Sequence, residues 1–124
     1  MRSSTRAASA WYPDGHMAVS AEFRDYVLDQ LRRVAPVTAK AMFGGVGIYS
    51  RGLFFALIAE DVLYFKVDAA TRPEYEARGS RAFNPFGKGT MGYYELPEDV
   101  LEDADELRDW MRAALAVARR KKED

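Results

Sequence analysis

The sequence predicts an α+β domain of two layers, with helices against one largely antiparallel sheet in the order α-β-β-β-α-β-β-α. Three observations carry that expectation. Apolar residues recur at helical spacing near both ends of the chain, three short apolar runs joined by short polar turns follow the first of these stretches, and the strands come in groups. Grouped strands exclude a regular alternation of strand and helix, and so exclude a doubly wound parallel sheet.

The first helix is read from Val19 to Val34, where Phe23, Val27, Leu31 and Val34 share one face. Ser20 is placed to cap it, Glu22 lies in the first turn, Arg32 and Arg33 lie in the last, and Pro36 follows. Strand candidates then run from Met42 to Tyr49, Leu53 to Ala59 and Val62 to Val67, separated by Ser50-Arg51-Gly52 and Glu60-Asp61. In the third run, Leu63, Phe65 and Val67 share one face and Val62, Tyr64 and Lys66 the other. In the second, simple alternation sets Leu53, Phe55 and Leu57 against Phe54, Ala56 and Ile58. Apolar residues on both faces call for cover on both, by helices or by a partner.

Thr71-Arg72-Pro73-Glu74 has the form of a capping box for a short second helix, which Gly79 ends in a left-handed conformation. Ala82 to Phe86 and Met91 to Leu96 are further strand candidates around a hairpin loop, Gly87-Lys88-Gly89-Thr90, and Pro85 marks the first as an edge. A last helix opens on the acids of Asp103-Ala104-Asp105-Glu106 and carries Leu107, Trp110, Met111, Ala114, Leu115 and Ala118 at helical spacing. It closes on Arg119, Arg120, Lys121 and Lys122, so both ends suit the helix dipole.

The chain of 124 residues has room for one domain with a core of its own, and 48% hydrophobic residues place it outside the disordered class. Residues 1–17 are polar, lack any period and end in Gly15-His16-Met17. They read as a cloning remnant ahead of a native start or as a disordered tail, leaving 18–122 as the folded domain. No apolar run approaches the roughly 20 residues that span a bilayer, and no signal sequence opens the chain. With no cysteine either, the expectation is a cytoplasmic protein without membrane contact.

The same residues exclude most chemistry. Gly45-Val46-Gly47 begins a dinucleotide fingerprint, but Ser50 stands where the third glycine belongs and a strand pattern follows in place of a helix. Gly87-Lys88-Gly89-Thr90 lacks the spacing of a phosphate-binding loop. The sole histidine, His16, falls in the excluded segment, and the acids from Glu95 to Asp109 show no calcium-loop spacing. No catalytic residue, no metal ligand and no cofactor site is therefore assigned. Gly44, Gly45 and Gly47 are read as structural, permitting a bulge or a close backbone approach.

The block Met42-Phe43-Gly44-Gly45-Val46-Gly47-Ile48-Tyr49 is followed by Phe55-Ala56-Leu57-Ile58, Leu63-Tyr64-Phe65-Lys66 and Met91-Gly92-Tyr93-Tyr94-Glu95-Leu96-Pro97. With Glu106-Leu107-Arg108-Asp109-Trp110 opening an alanine-rich helix, the stretch from Val19 to Lys122 resembles the TfoX N-terminal domain. That resemblance implies a secretion-chaperone-like two-layer fold and no established catalytic residue. Full-length TfoX/Sxy proteins regulate natural competence together with the cyclic-AMP receptor protein and carry a second, C-terminal helical domain. This chain ends after its last helix, so a stand-alone module is expected.

The function expected is a non-enzymatic protein-interaction module, competence-related and acting in transcriptional regulation, whose protein partner the sequence does not name. A homodimer is expected from the two apolar sheet faces. The candidate contact surface comprises Lys40, Arg51, Lys66 and Lys88 with Tyr49, Tyr64 and Tyr93. Its mixture of basic and aromatic side chains also fits a nucleic-acid-associated regulator, which a net charge of −1 disfavours. A small-molecule enzyme is the third reading, and it requires a concave pocket near Tyr49, Tyr64, Lys66 or Tyr93.

Overall fold

Helix α1, Ala21–Arg32, starts where the sequence places it: the Ser20 hydroxyl accepts a hydrogen bond from the Phe23 N–H at 3.2 Å. The Ser20 N–H in turn donates to the Asp61 carboxylate at 2.7 Å, tying the start of the helix to a distant turn of the sheet. The structure, a computed structural model, describes residues 19–42, 44–84 and 92–123. Residues 1–17 and Lys88 thus lie outside the described residues, as do Pro85 and the hairpin loop expected at 87–90.

The sheet is an antiparallel meander in the order β1-β2-β3-β4-β5, made of Thr38–Met42, Gly45–Ser50, Leu53–Ala59, Val62–Lys66 and Tyr93–Glu95. The α+β class and the antiparallel sheet are those the sequence predicts. One strand candidate is corrected in detail: the run from Met42 to Tyr49 contains a hairpin, with Met42 paired to Gly45 across the β1–β2 turn. Gly44 makes that turn at φ 81°. The β2–β3 turn, Arg51-Gly52, and the β3–β4 turn, Glu60-Asp61, each have both residues at positive φ. Such turns match the twist of a two-residue hairpin, at a cost on the order of 1 kcal/mol for each non-glycine residue held there.

Gly45 and Gly47 serve another purpose. A Cβ on Gly45 would stand 2.5 Å from the Ile58 carbonyl oxygen, a backbone atom that cannot swing aside. A Cβ on Gly47 would stand 2.5 Å from the Met42 Cε and 3.1 Å from the Phe54 ring, so those two side chains lie over the space its absence leaves.

β2 and β3 pair Ile48 with Ala56 but Tyr49 with Phe54, which leaves Phe55 as an extra residue in β3. This bulge overturns the simple alternation expected for Leu53 to Ala59. Phe55 and Ala56 are both fully buried, and beyond them Ile58 continues the inner face while Phe54 and Leu57 face out. In β4 the alternation is unbroken, with Leu63 and Phe65 inside and Tyr64 and Lys66 outside. Phe55 and Phe65 meet edge to face at 5.5 Å in the centre of the core. Burying each such ring is worth about 1.5–3 kcal/mol.

Helix α2, Arg72–Ala77, is not capped by the predicted box, since the Thr71 side chain makes no cap hydrogen bond to it. Asp68 and Thr71 bond reciprocally, with the Asp68 N–H donating to the Thr71 hydroxyl and the Thr71 N–H to the Asp68 carboxylate, both at 3.1 Å. The box therefore sits one turn earlier than the sequence suggests. Gly79, at φ 76°, closes the helix, with the Ser80 N–H reaching back to the Tyr75 carbonyl at 3.0 Å. The chain then runs back along β5, where Ala82 bridges Tyr94 and the Phe83 N–H donates to the Tyr93 carbonyl.

A short helix α3, Glu98–Glu102, precedes the long α4, Ala104–Glu123. The Asp103 carboxylate between them accepts from the N–H groups of Asp105 and Glu106 at 3.0 and 3.2 Å, as the sequence predicts for a cap. Buried residues of all four helices join the inner face of the sheet in one core that includes Leu31, Ile48, Phe65, Tyr75, Val100 and Met111. Among the described residues no helix is long and apolar enough to cross a membrane.

Gly45 and Gly52 allow the steric claim to be tested. Gly52 has a positive φ but open space around it, whereas Gly45 has a normal φ and a blocked Cβ position. Gly45→Ala is expected to lower unfolding stability by about 2–3 kcal/mol, as over-packing does, and Gly52→Ala by about 1 kcal/mol through backbone strain. Urea unfolding measures both, and a smaller loss at Gly45 than at Gly52 would contradict the close approach.

Candidate functional site

Alternation places the outward residues of the five strands on one face, opposite the helical layer. Tyr49, Tyr64, Lys66, Tyr93 and Lys40, all singled out in the sequence, share it. Lys40 pairs with Gly47, Gly47 with Leu57, and Leu57 with Tyr64, so these positions form one row across four strands. Arg51 is at the tip of the β2–β3 turn, at φ 51° and exposed.

Two residues that sequence reasoning gave no role hold the face together. Phe54 stacks on Tyr49 with ring centroids 5.0 Å apart and tilts against Tyr93 at 5.8 Å. Leu57 occupies the middle of the row, partly exposed, between Gly47 and Tyr64. Tyr64 in turn packs against Phe83 at 4.9 Å. The bulge at Phe55 hid the role of Phe54, because uninterrupted alternation from Leu57 would point it inward.

The Lys66 ammonium lies 5.1 Å from the Phe54 ring centroid and 5.6 Å from that of Tyr93. Such placement is worth about 0.5–1 kcal/mol at an exposed site and more when water is excluded. Burial, and next the charge of Lys121, hold the Lys66 ammonium below the usual lysine range. Burial, followed by the negative charges of Glu95 and Glu60, raises Tyr64, with Arg81 opposing. The face is therefore a set of interlocked, half-dry rings with one cation in their midst.

A cavity of about 270 Å³ opens at the end of this face, lined by Gly52, Leu53, Phe54, Lys66, Ala118, Lys121 and Lys122. The α4 C-terminus reaches it because Arg120 is paired with the Asp68 carboxylate at 2.5 Å, just beyond β4. A larger hollow of about 380 Å³ lies on the helical side, between Tyr75, Trp110 and the acids Glu74, Asp105, Glu106 and Asp109. Two of these acids are neutralised locally, Asp105 by Arg108 and Glu106 by Arg78. Of the four residues near which an enzyme would need a pocket, Lys66 lines the smaller of these two cavities. Among the described residues no cluster of three or more His, Cys, Asp or Glu side chains could hold a metal.

The family model of the TfoX N-terminal domain matches residues 29–118, well over half of the 124-residue chain. The match runs from the last turn of α1 into the last turns of α4 and so takes in the whole sheet. A search of curated proteins finds no match to the chain.

Tyr93 reports on the dryness of the face. Burial, and next Tyr49, push its hydroxyl up to about 12 from an ordinary 10.0. The folded chain then holds this proton more tightly than the unfolded chain does. The corresponding stability is fully present below pH 10 and is lost as the pH climbs through about 12. Tyr93→Phe is expected to make the alkaline fall in the urea midpoint shallower than in the wild type while leaving the neutral-pH value within about 1 kcal/mol. An unchanged alkaline slope would contradict the buried placement of the Tyr93 hydroxyl.

Proposed function

The chain belongs to the TfoX N-terminal domain family, and on that premise we propose that it is a non-enzymatic protein-interaction module of competence-type transcriptional regulation, docking its partner on the outer face of the sheet. The observation that carries this reading is the group of Tyr49, Phe54, Leu57, Tyr64 and Tyr93 on the face opposite the helical core. None of these five belongs to the core that the helices cover. Contiguous apolar surface of this kind marks interaction sites more often than isolated exposed residues do. Tyrosine also supplies contact area with little rotamer entropy to lose.

The face is also preorganised. Tyr49, Phe54 and Tyr93 are packed on one another before any partner arrives, so docking does not have to order them. Lys66 gives the surface a positive end, which favours a partner whose matching patch is apolar with an acidic rim. Self-association through the same face is the simplest case, and it would make the protein a homodimer. A nucleic-acid-associated role is the second reading, supported by Lys66 and Lys40 standing on a face rich in rings. It requires binding to single strands that falls steeply with salt.

Leu57→Glu places a charge in the middle of that face, where the side chain is partly exposed. A photo-crosslinking residue at position 57 is expected to capture a specific protein in extracts of the native host, one that a crosslinker at Tyr26 on α1 does not capture. Leu57→Glu should weaken that association by about tenfold or more. Equal capture from both positions, or full retention by the variant, would overturn the reading. Light scattering at micromolar concentration decides whether the partner is a second copy: a dimer mass that Leu57→Glu halves supports it, and a monomer mass for the wild type rejects it.

A further inference from the structure

Three lysines line the cavity at the end of the outer face. Lys66 comes from β4, and Lys121 and Lys122 come from the last turns of α4. Among the described residues none of the three forms an ion pair, although Arg120, next in the chain, is paired with Asp68. The carboxylate of Asp68 is taken up further by the N–H groups of Ala70 and Thr71 and by the Thr71 hydroxyl. It is thereby withheld from the lysines.

Solvated surface lysines normally avoid such convergence, since they are free to swing apart. Lys66 has less of that freedom, as its ammonium rests on two rings. The helix dipole eases the repulsion for Lys121 and Lys122 at a helix C-terminus, but it offers nothing to a lysine in a strand. The proximity is felt, because Lys121 adds to burial in holding Lys66 below its ordinary range. The remaining walls, Leu53, Phe54 and Ala118, are apolar.

We propose that this cavity binds a small organic phosphate, with the phosphate between Lys66, Lys121 and Lys122 and the body of the ligand against Leu53, Phe54 and Ala118. A phosphate monoester carries close to two negative charges near neutral pH and several acceptor oxygens, so it can meet three separate ammonium groups. A carboxylate brings one charge and matches them less well. The cavity shares Phe54 and Lys66 with the docking face, but a small anion needs no partner protein to bind.

Phenyl phosphate is a suitable probe, titrated calorimetrically against benzoate and against sodium chloride at equal ionic strength. Phenyl phosphate is expected to bind at least about tenfold more tightly than benzoate. Lys66→Gln and the pair Lys121→Gln with Lys122→Gln should each weaken it by about tenfold, and Lys40→Gln, elsewhere on the face, should not. The double variant touches no aromatic ring, so its effect does not depend on the cation–π packing that Lys66→Gln removes. Binding no tighter than that of benzoate, or unaltered in both sets of variants, would overturn the site. Competition with a short oligothymidylate separates two sources of the phosphate: displacement of phenyl phosphate points to nucleic acid, and its absence to a free small molecule.

Discussion

The backbone approach of β3 to Gly45 is the constraint on which the rest of the sheet depends. The Ile58 carbonyl fills the place where a side chain would begin, so β2 settles against β3 only because that position is bare. Two residues on, Gly47 leaves a gap that the Met42 thioether and the edge of the Phe54 ring close from either side. A strand stripped of side chains at these two outward positions lets neighbouring strands fold their own over it. The outer layer of rings follows, with Phe54 drawn across toward Tyr49 and Tyr93 and Lys66 resting on the result.

The inner face is organised by a second irregularity. By adding Phe55 to β3, the bulge turns two consecutive residues inward and supplies a fully buried ring beside Phe65. The same shift leaves Phe54 outside. One extra residue therefore fits the sheet to the helices on one side and completes the aromatic cluster on the other. On the helical side Tyr75, Tyr94 and Trp110 continue the core, and the Tyr94 hydroxyl donates to the Glu76 carboxylate at 2.9 Å.

Features set by local chemistry were legible in the sequence. Ser20, Asp103 and Gly79 act as helix boundaries because capping depends on a few adjacent residues, and the unbroken alternation of β4 located Tyr64 and Lys66 correctly on the outer face. Features set by pairing across the sheet were not. Thr38–Met42, Thr-Ala-Lys-Ala-Met, has little strand character of its own and becomes a strand by pairing with β2. The bulge leaves no local mark, since Leu53-Phe54-Phe55-Ala56 reads as an ordinary alternating run. At α2 two overlapping boxes competed, and the one beginning at Asp68 prevailed over the one beginning at Thr71. Lys121 and Lys122 read as charges suited to a helix end, and their convergence on Lys66 exists only once α4 has docked.

The central claim is that the outer face of the sheet is the working face of this domain. Hydroxyl-radical footprinting, comparing the purified protein with the protein in extracts of its native host, tests this most directly. Tyr26, 41% exposed on α1, is the internal reference. The expected result is that Tyr49, Tyr64 and Tyr93 lose reactivity in the extract while Tyr26 keeps its own. Protection of Tyr26 with the three outer tyrosines unchanged would contradict it and place the contact on the helical side.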